Sequence, residues 1–577
     1  MLFDVLVVGG GHAGCEAALC TARLGLKTLL ITGSLDRMAA MSCNPAIGGV
    51  GKGHLVKEID ALGGEMAKIA DLTGIHFRTL NASRGPAVQA TRCQSDMERY
   101  RRRMTERIFA TPNLHLRQDD VVGLMSEGNK ITGVSTKHSG QIHARTVIIT
   151  TGTFMGGQLH LGHAMMPGGR AGEAPTSGLS ASLANLGLEL GRLKTGTCPR
   201  IDSRTIDYSL LEEQAPDAPA PMFSFESEAP VLPQISCHIT YTNAETHGVI
   251  TDAINSGRAP LYNGQIGGAG PRYCPSIEDK VVRFAQKESH LIFLEPQGLD
   301  TYEVYPNGLS TSLPPAVQLD FLRSMKGLSQ VEVTRWGYAV EYDFVKPTQL
   351  HHTLETKNIK GLYCAGQING TTGYEEAAVQ GLIAGLNAAK ALKEQEPVIL
   401  GRHQAYAGVL IDDLITLGTE EPYRMFTSRA EHRLALREDN VYARLMDVGA
   451  RTGLLSSERH QAMQAFEAAA ADQKAQENAN PRVRRRAEIE QKYAGYVARL
   501  ERELKQQIDL ESHLIPEHVF EQQIAGISNE VFEKLKTHRP RTLGHASRIS
   551  GITPAAQSLI LVAIKRAAYA AAQDLHA

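Results

Sequence analysis

Cysteine is scarce in this 577-residue chain: eight residues, widely scattered, with no CxxC pair. That pattern excludes a zinc ribbon and a thioredoxin-type redox pair, and it favours a reducing compartment over a disulfide scaffold. Aromatic residues are few (6%), with one tryptophan, Trp336. Charge of one sign is missing too: 60 Lys and Arg face 62 Asp and Glu, a net −2. The total therefore gives no hint of nucleic acid or membrane. No apolar run approaches the ~18–20 residues that span a bilayer. The first residues carry an acid and early glycines, unlike a signal peptide, so a cytoplasmic protein is expected. The 54 glycines follow no period, which excludes collagen-like and low-complexity readings. What remains is a large globular chain, about four domains' worth at ~150 residues each.

Val5–Val8 is a short continuous apolar run, the pattern of a buried parallel strand. Gly9-Gly10-Gly11-His12-Ala13-Gly14 follows at once, then a small-residue helix over Cys15–Leu24 and a second apolar run, Leu29–Ile31. In this βαβ setting GxGxxG has a mechanical meaning: Gly9 for the turn, Gly11 for backbone approach to a pyrophosphate, Gly14 for close helix–strand packing. The acid expected about 20 residues on is replaced by Thr32, with Asp36 a little late. Either Thr32 holds the ribose or another part of the chain does.

Two later segments favour FAD over NAD. Ala144–Thr153 is a strand ending in a small-residue turn, like the second motif of two-dinucleotide flavoproteins. Gly361–Gln367, then Gly370, Gly373 and a helix over Glu375–Leu392, resembles their closing motif, with Gln367 where Asp is more usual. The expected fold is α/β. A discontinuous Rossmann-like FAD domain (1–200 plus 345–396) carries an inserted α/β domain (201–344), and an all-helical C-terminal domain (397–577) follows. Cys43–Gly53 mimics a P-loop but has Ala46 at the first glycine position and Gly53 at the hydroxyl position, so no NTPase is expected. Backbone N–H groups of this loop remain candidates for lining a flavin or an anion. His351-His352 lacks ligand spacing, and no metal is expected.

Long blocks of sequence resemble the MnmG (GidA) family: Met41–Gly49, Gly270–Lys280, Ala365–Glu376, Glu421–Glu431 and Ala546–Gly551. The resemblance covers nearly the whole chain. It implies an FAD enzyme that installs an aminomethyl or carboxymethylaminomethyl group at C5 of the wobble uridine of tRNA. It also implies the GTPase MnmE as partner, methylene-tetrahydrofolate as carbon donor, NADH as reductant and a homodimer. Carried over by position, FAD contacts fall on Gly9 to Gly14, Val121, Thr176 and Gln367. The implied NAD segment is Gly270-Pro271-Arg272-Tyr273-Cys274-Pro275-Ser276-Ile277-Glu278-Asp279-Lys280-Val281-Val282-Arg283-Phe284. The family's two candidate catalytic cysteines match Cys43 and Cys274. The chain departs from the family at His432, usually Tyr, and in a shortened segment over Ala465–Glu488, which bears on the docking angle of the helical arm.

Ser276 and Asp279 have near capping-box spacing, so a helix is expected from about Ile277. Cys274, just before that helix and near Arg272, is either a low-pKa nucleophile for uracil C6 or part of a structural corner. Cys43 is either the partner thiol or simply packed. Glu375 and Glu376 are candidate bases. Arg429, Arg433 and Arg437 recur every four residues, which reads as one helix face. Arg99, Arg101–Arg103 and Arg482, Arg484–Arg486 make two more basic clusters. Each is either a solvated face paired with Glu or a set of phosphate contacts. Gln214–Gln234 carries five prolines and reads as an extended loop, and Ile549–Pro554 reads as a turn between short helices. The nearest alternative is the folate- and FAD-dependent tRNA uridine methyltransferase, which lacks a tail like Glu420–Ala577. A small-molecule flavin oxidoreductase is the other, and a non-catalytic RNA-binding scaffold is disfavoured by the intact glycines. Residues 481–577 hold 15 Lys and Arg against 11 Asp and Glu. The neutral total thus averages an acidic body with a basic arm, a distribution that permits an RNA partner.

Overall fold

The computed structural model describes residues 2–272, 275–472 and 480–574, the side chains of 501–504, 506–508 and 567–574 excepted. The first apolar run becomes the strand Leu2–Val8, with Val5, Leu6 and Val7 fully buried. It pairs in parallel with Thr28–Thr32 on one side and Gly140–Ile149 on the other. Leu114–Gln118 extends the sheet beyond Thr28–Thr32, and Leu362–Cys364 joins Gly140–Ile149, both in parallel. Val121–Glu127 and Lys130–Thr136 add an antiparallel meander and complete seven strands. This is the expected Rossmann-like layer.

Two helices lie against that sheet, His12–Arg23 and Tyr374–Leu392, and they touch at backbone distance. A Cβ at Gly381 would sit 2.0 Å from the Ala13 carbonyl oxygen, and one at Gly385 2.8 Å from that of Ala17. Small residues on both partners therefore set the spacing, and any larger side chain would force the helices apart.

Three antiparallel sheets surround this body. A four-stranded one runs in the order Ala164–Pro167, Gln158–Leu161, Tyr338–Val345, Leu190–Thr197. A six-stranded one includes Leu291–Pro296, Glu303–Asn307 and Arg200–Asp202, and encloses its own core with Ile250, Ile277, Val281 and Phe321. The third comprises Ala46–Gly48, Ala90–Ser95 and Gly74–Leu80. The proline-rich stretch crosses beside this sheet, with the Asp217 and Ile235 N–H groups donating to the Phe77 and Ile75 carbonyls.

Beyond Cys364 the described residues hold no strand. The main core continues into this region through Tyr406, Leu445 and Met463. Buried Glu58 accepts from the Tyr406 and Ala407 N–H groups at 2.8 and 2.9 Å, fixing the helix Tyr406–Leu417 to the body. The 32-residue helix Pro481–Ser512, capped by Asn480, then leads to a separate small core around Phe532, Leu535, Leu543 and Ile560. Part of the shortened segment, 473–479, lies outside the described residues. The expected turn after Arg548 is present, but the helix that follows, Pro554–Asp574, is 21 residues and not short. No helix among the described residues is long and apolar enough to cross a membrane.

The arginine row corrects a sequence expectation. Residues 427–429 form one 3-10 turn followed by further turns, with no helix through Arg437. Arg437 has a fully buried side chain that pairs with Asp439 and Glu490 and lies over the Tyr493 ring. Four-residue spacing arose here from separate structural duties. The 99–103 cluster is paired within the chain, Arg99 to Asp300, Arg101 to Glu98, and Arg102 and Arg103 to Glu106, and in the 482–486 cluster Arg486 pairs with Glu467 and Glu490.

Candidate active site

The starts of both packed helices open into a single cavity of about 560 Å³. Gly9 through Ala13 line one end, followed by Thr32, Ser34, Arg37, Val121 and Thr150–Phe154. Gln367 and Thr372–Glu375 line the middle, with Thr176 nearby. Ser42, Cys43, Arg92, Tyr305, Asn307 and Pro271 close the far end. All the expected FAD residues except Gly14 line the cavity. Gly14 stands behind it, where a Cβ would fall 1.8 Å from the Gly9 carbonyl oxygen, so it is the close-packing glycine. Gly9 adopts φ +105°, which favours glycine. A Cβ on Gly11 would meet nothing within 4 Å, so its backbone faces open space at a helix start.

These features fit a dinucleotide: bare backbone N–H groups at a positive helix end for the pyrophosphate, and a long cavity for the rest. The missing ribose acid is partly accounted for, since Thr32 lines the cavity and Asp36 does not. Gln367 donates to the Tyr342 hydroxyl at 3.2 Å, which leaves its amide oxygen as an acceptor. His12, at the helix start, stacks on Tyr374 with ring centroids 4.5 Å apart. Burial lowers its pKa to about 4 against the pull of Glu375, so the imidazole is neutral at pH 7.

The P-loop lookalike has a different chemistry. Lys52 is buried and pairs with Glu375 at 2.9 Å and Glu376 at 3.0 Å. Gly48 N–H donates to Glu375 at 2.6 Å, and Met425 N–H to Glu376 at 3.0 Å. Burial would raise the Glu375 carboxyl, but the Lys52 ammonium and the Gly48 N–H hold it below its ordinary value. A carboxylate so stabilised is a weak base, and the triad anchors the Gly48–Gly51 turn to the closing helix.

Cys43 is placed by three neighbours. Arg200 donates to its carbonyl at 2.8 Å, its own N–H donates to the Tyr374 hydroxyl at 2.7 Å, and its Sγ lies 3.1 Å from the Tyr305 hydroxyl. Burial, with the thiols of Cys198 and Cys43, pushes the Tyr305 hydroxyl well above its ordinary pKa, so it stays protonated. Cys274 and Tyr273 lie outside the described residues. Within the rest of Gly270–Phe284, Pro271 reaches the cavity, whereas Ile277 and Val281 sit in the second core and Val282 and Phe284 are exposed. Ser276 caps the helix Ile277–Arg283 through the Asp279 N–H, as the spacing implied. Glu341 accepts from the Gly267 and Gly268 N–H groups and steadies the loop that leads into Pro271.

Sequence reasoning missed Lys52, Arg92, Arg200, Tyr305 and Asn307. They come from two sheets and a helix, and apart from Tyr305 and Asn307, two residues apart on one strand, no local spacing joins them.

Comparison with known proteins adds the family. The description "Glucose inhibited division protein A" matches residues 4–396, and "tRNA modifying enzyme MnmG/GidA C-terminal helical bundle" matches 503–576. The chain is 52% identical to the tRNA uridine 5-carboxymethylaminomethyl modification enzyme MnmG of a Nitratiruptor species, over 98% of this chain and 99% of that protein. It is 51% identical to the protein of the same name from Syntrophotalea carbinolica, over 98% and 99%. Among solved structures, Aquifex aeolicus GidA in the form I crystal matches with a TM-score of 0.93 and 46% identity, over 98% of this chain and all of that one.

Proposed function

We infer the activity from one premise: this chain belongs to the MnmG/GidA family. It is an FAD-dependent tRNA-modifying enzyme that adds an aminomethyl or carboxymethylaminomethyl group to C5 of wobble uridine. The observation that carries this reading is identity of about half the residues over the full length of named relatives, C-terminal bundle included. That bundle also disfavours the methyltransferase alternative.

FAD would be held by Gly9–Ala13 at the pyrophosphate and by Val121, Thr176 and Gln367 along the cavity. When bound it supplies hydride transfer and a carrier for the one-carbon unit. The chain's own residues do the rest. Neutral His12 and Tyr374 wall the cavity and exclude water, and the Lys52–Glu375–Glu376 triad fixes the closing helix. A wobble base splayed from its stack would reach the far end, where Cys43 waits. A thiolate of Cys43 or Cys274 adding to uracil C6 would make C5 a carbon nucleophile, and its later elimination would restore the ring. Arg200 and Tyr305 hold Cys43 for that role.

NADH as reductant, taken beside Gly270–Phe284, methylene-tetrahydrofolate as carbon donor, a homodimer and a complex with the GTPase MnmE in the cytoplasm complete the reading. The terminal helices after Leu510 are its proposed docking unit for tRNA and MnmE. The test is mass spectrometry of wobble nucleosides from a deletion strain, complemented with wild type and with Cys43→Ser and Cys274→Ser. Loss of the modified nucleoside on deletion is expected, restored by wild type and not by the variant that lacks the attacking thiol. Unchanged nucleosides on deletion would overturn the reading.

A further inference from the structure

At the far end of the cavity a buried carboxylate gathers three side chains. Glu295 is 1% exposed, and its Oε1 accepts from Arg92 Nη2 at 2.6 Å, Gln94 Nε2 at 3.0 Å and Asn307 Nδ2 at 3.0 Å. Arg92 and Gln94 belong to the strand Ala90–Ser95 of one sheet, Glu295 and Asn307 to neighbouring strands of another. Arg92 and Asn307 line the cavity.

The tethers dictate what these two residues present. With Nδ2 turned to Glu295, the Asn307 amide offers Oδ1, an acceptor, on its other side. Arg92, held through Nη2, keeps Nη1 as a donor. Three buried polar atoms in the cluster have no hydrogen-bond partner among the described residues: Arg92 Nε, Gln94 Oε1 and Glu295 Oε2. A seam that served only to join two sheets would be better built from apolar side chains, and buried polar atoms left unsatisfied call for an explanation. Position supplies one. Tyr305 and Asn307 are two apart on one strand and face the same way, and Tyr305 touches Cys43. The donor–acceptor pair and the thiol therefore share a wall.

We propose that Arg92 and Asn307, oriented by Glu295, read the imide edge of the substrate base. Asn307 Oδ1 accepts from uracil N3–H, and Arg92 donates to the adjoining carbonyl. The inference rests on the uridine reading above. Cytosine carries an unprotonated N3, which sets acceptor against acceptor at Asn307, so the pair selects uracil. The pyrimidine ring of a flavin carries the same imide edge and is the other source of this chemistry.

The experiment separates the two. FAD-loaded protein is titrated with two labelled anticodon stem-loop RNAs that differ only in U or C at the wobble position, alongside visible absorbance of the flavin. Wild type is expected to prefer U by roughly 5- to 150-fold, the range of a paired edge contact. Asn307→Leu should cut that preference about tenfold with FAD content and spectrum unchanged. Arg92→Lys, which keeps a cation for Glu295, should lower it too and carries the test if Asn307→Leu does not fold. Retained preference in both variants overturns the proposal. So does lost FAD affinity or a shifted flavin band with the preference intact, which assigns the edge to the flavin. A wild type that modifies no tRNA uridine overturns the uridine reading itself, whereas one that modifies uridine while its variants discriminate normally sinks only this inference.

Discussion

Replacing Lys52 by Met removes the ammonium that touches both Glu375 and Glu376. The three side chains are 10%, 3% and 0% exposed, so the carboxylates lose their counter-charge without gaining water. Breaking a buried pair in this way costs about 3–5 kcal/mol. The Gly48 and Met425 N–H groups remain on the carboxylates, which argues for the lower part of that range, about 3 kcal/mol at pH 8. The loss should depend on pH. In wild type, Glu375 is held below its ordinary pKa, so its contribution is fully present above the unfolded value of about 4.3 and fades only as pH falls through the folded value. In Lys52→Met the ammonium no longer opposes burial, which then raises the Glu375 carboxyl against the Gly48 N–H. The folded variant then binds a proton that the unfolded chain at pH 5.5 does not, and its stability rises as pH falls. At 1.36 kcal/mol per pKa unit, the deficit should shrink by about 1–3 kcal/mol between pH 8 and pH 5.5. Urea unfolding followed by circular dichroism at both values measures this, with slopes compared to exclude a change in the exposed surface. Adding Glu376→Gln should recover at least ~1 kcal/mol at pH 8. Equal midpoints for wild type and variant, or a deficit indifferent to pH, would refute the reasoning.

Gly14→Ala places a Cβ 1.8 Å from the Gly9 carbonyl and should abolish the flavin absorbance of purified protein, whereas Gly11→Ala, open within 4 Å, should keep the wild-type melting temperature and bind FAD more weakly; wild-type FAD content in Gly14→Ala would contradict this. Arg437→Ala should lose about 3–5 kcal/mol of stability while the salt dependence of RNA binding stays unchanged, because its guanidinium faces Asp439 and Glu490; a smaller salt slope would make it a phosphate contact. Burial would raise Asp412, but His352 and Arg548 hold it well below the usual carboxylate range. Its tie to the terminal bundle should therefore persist from pH 8 to 5 and loosen only below about pH 4, read as hydrogen exchange in residues 515–564; faster exchange already at pH 6 would count against it. Of the seven described cysteines, Cys43 alone is not buried, so it should alkylate ahead of the other six in a peptide-mapping time course; earlier labelling of Cys15 or Cys93 would show the cavity wall misplaced.

The dinucleotide end of the cavity was legible because its logic is local: strand, glycines and helix lie within forty residues, and GxGxxG reports backbone contacts that only glycine permits. Gln367 was legible for the same reason, through the strand and glycines around it. The far end was not. Arg92 and Asn307 meet through Glu295 across two sheets, and nothing in their own neighbourhoods marks them. The row Arg429, Arg433, Arg437 misled because charge spacing suggests a helix only when the backbone follows. Here the segment wraps in turns, and Arg437 turns inward to carboxylates on Asp439 and the Pro481–Ser512 helix.

The contact between the first helix and the closing helix also sets a timetable. The glycine loop is made well before the helix whose Gly381 and Gly385 seat against the first helix, more than 360 residues further along the chain. At about 5–20 residues per second, translation takes roughly 20–75 s to pass from Gly14 to Leu392. Through that interval the face of the first helix that Gly381 and Gly385 later cover stays open, and the pocket for the nucleotide is half built. The pocket is complete only when the start of the closing helix, Thr372–Glu375, takes its place in the wall, which makes cofactor loading a late event in biogenesis.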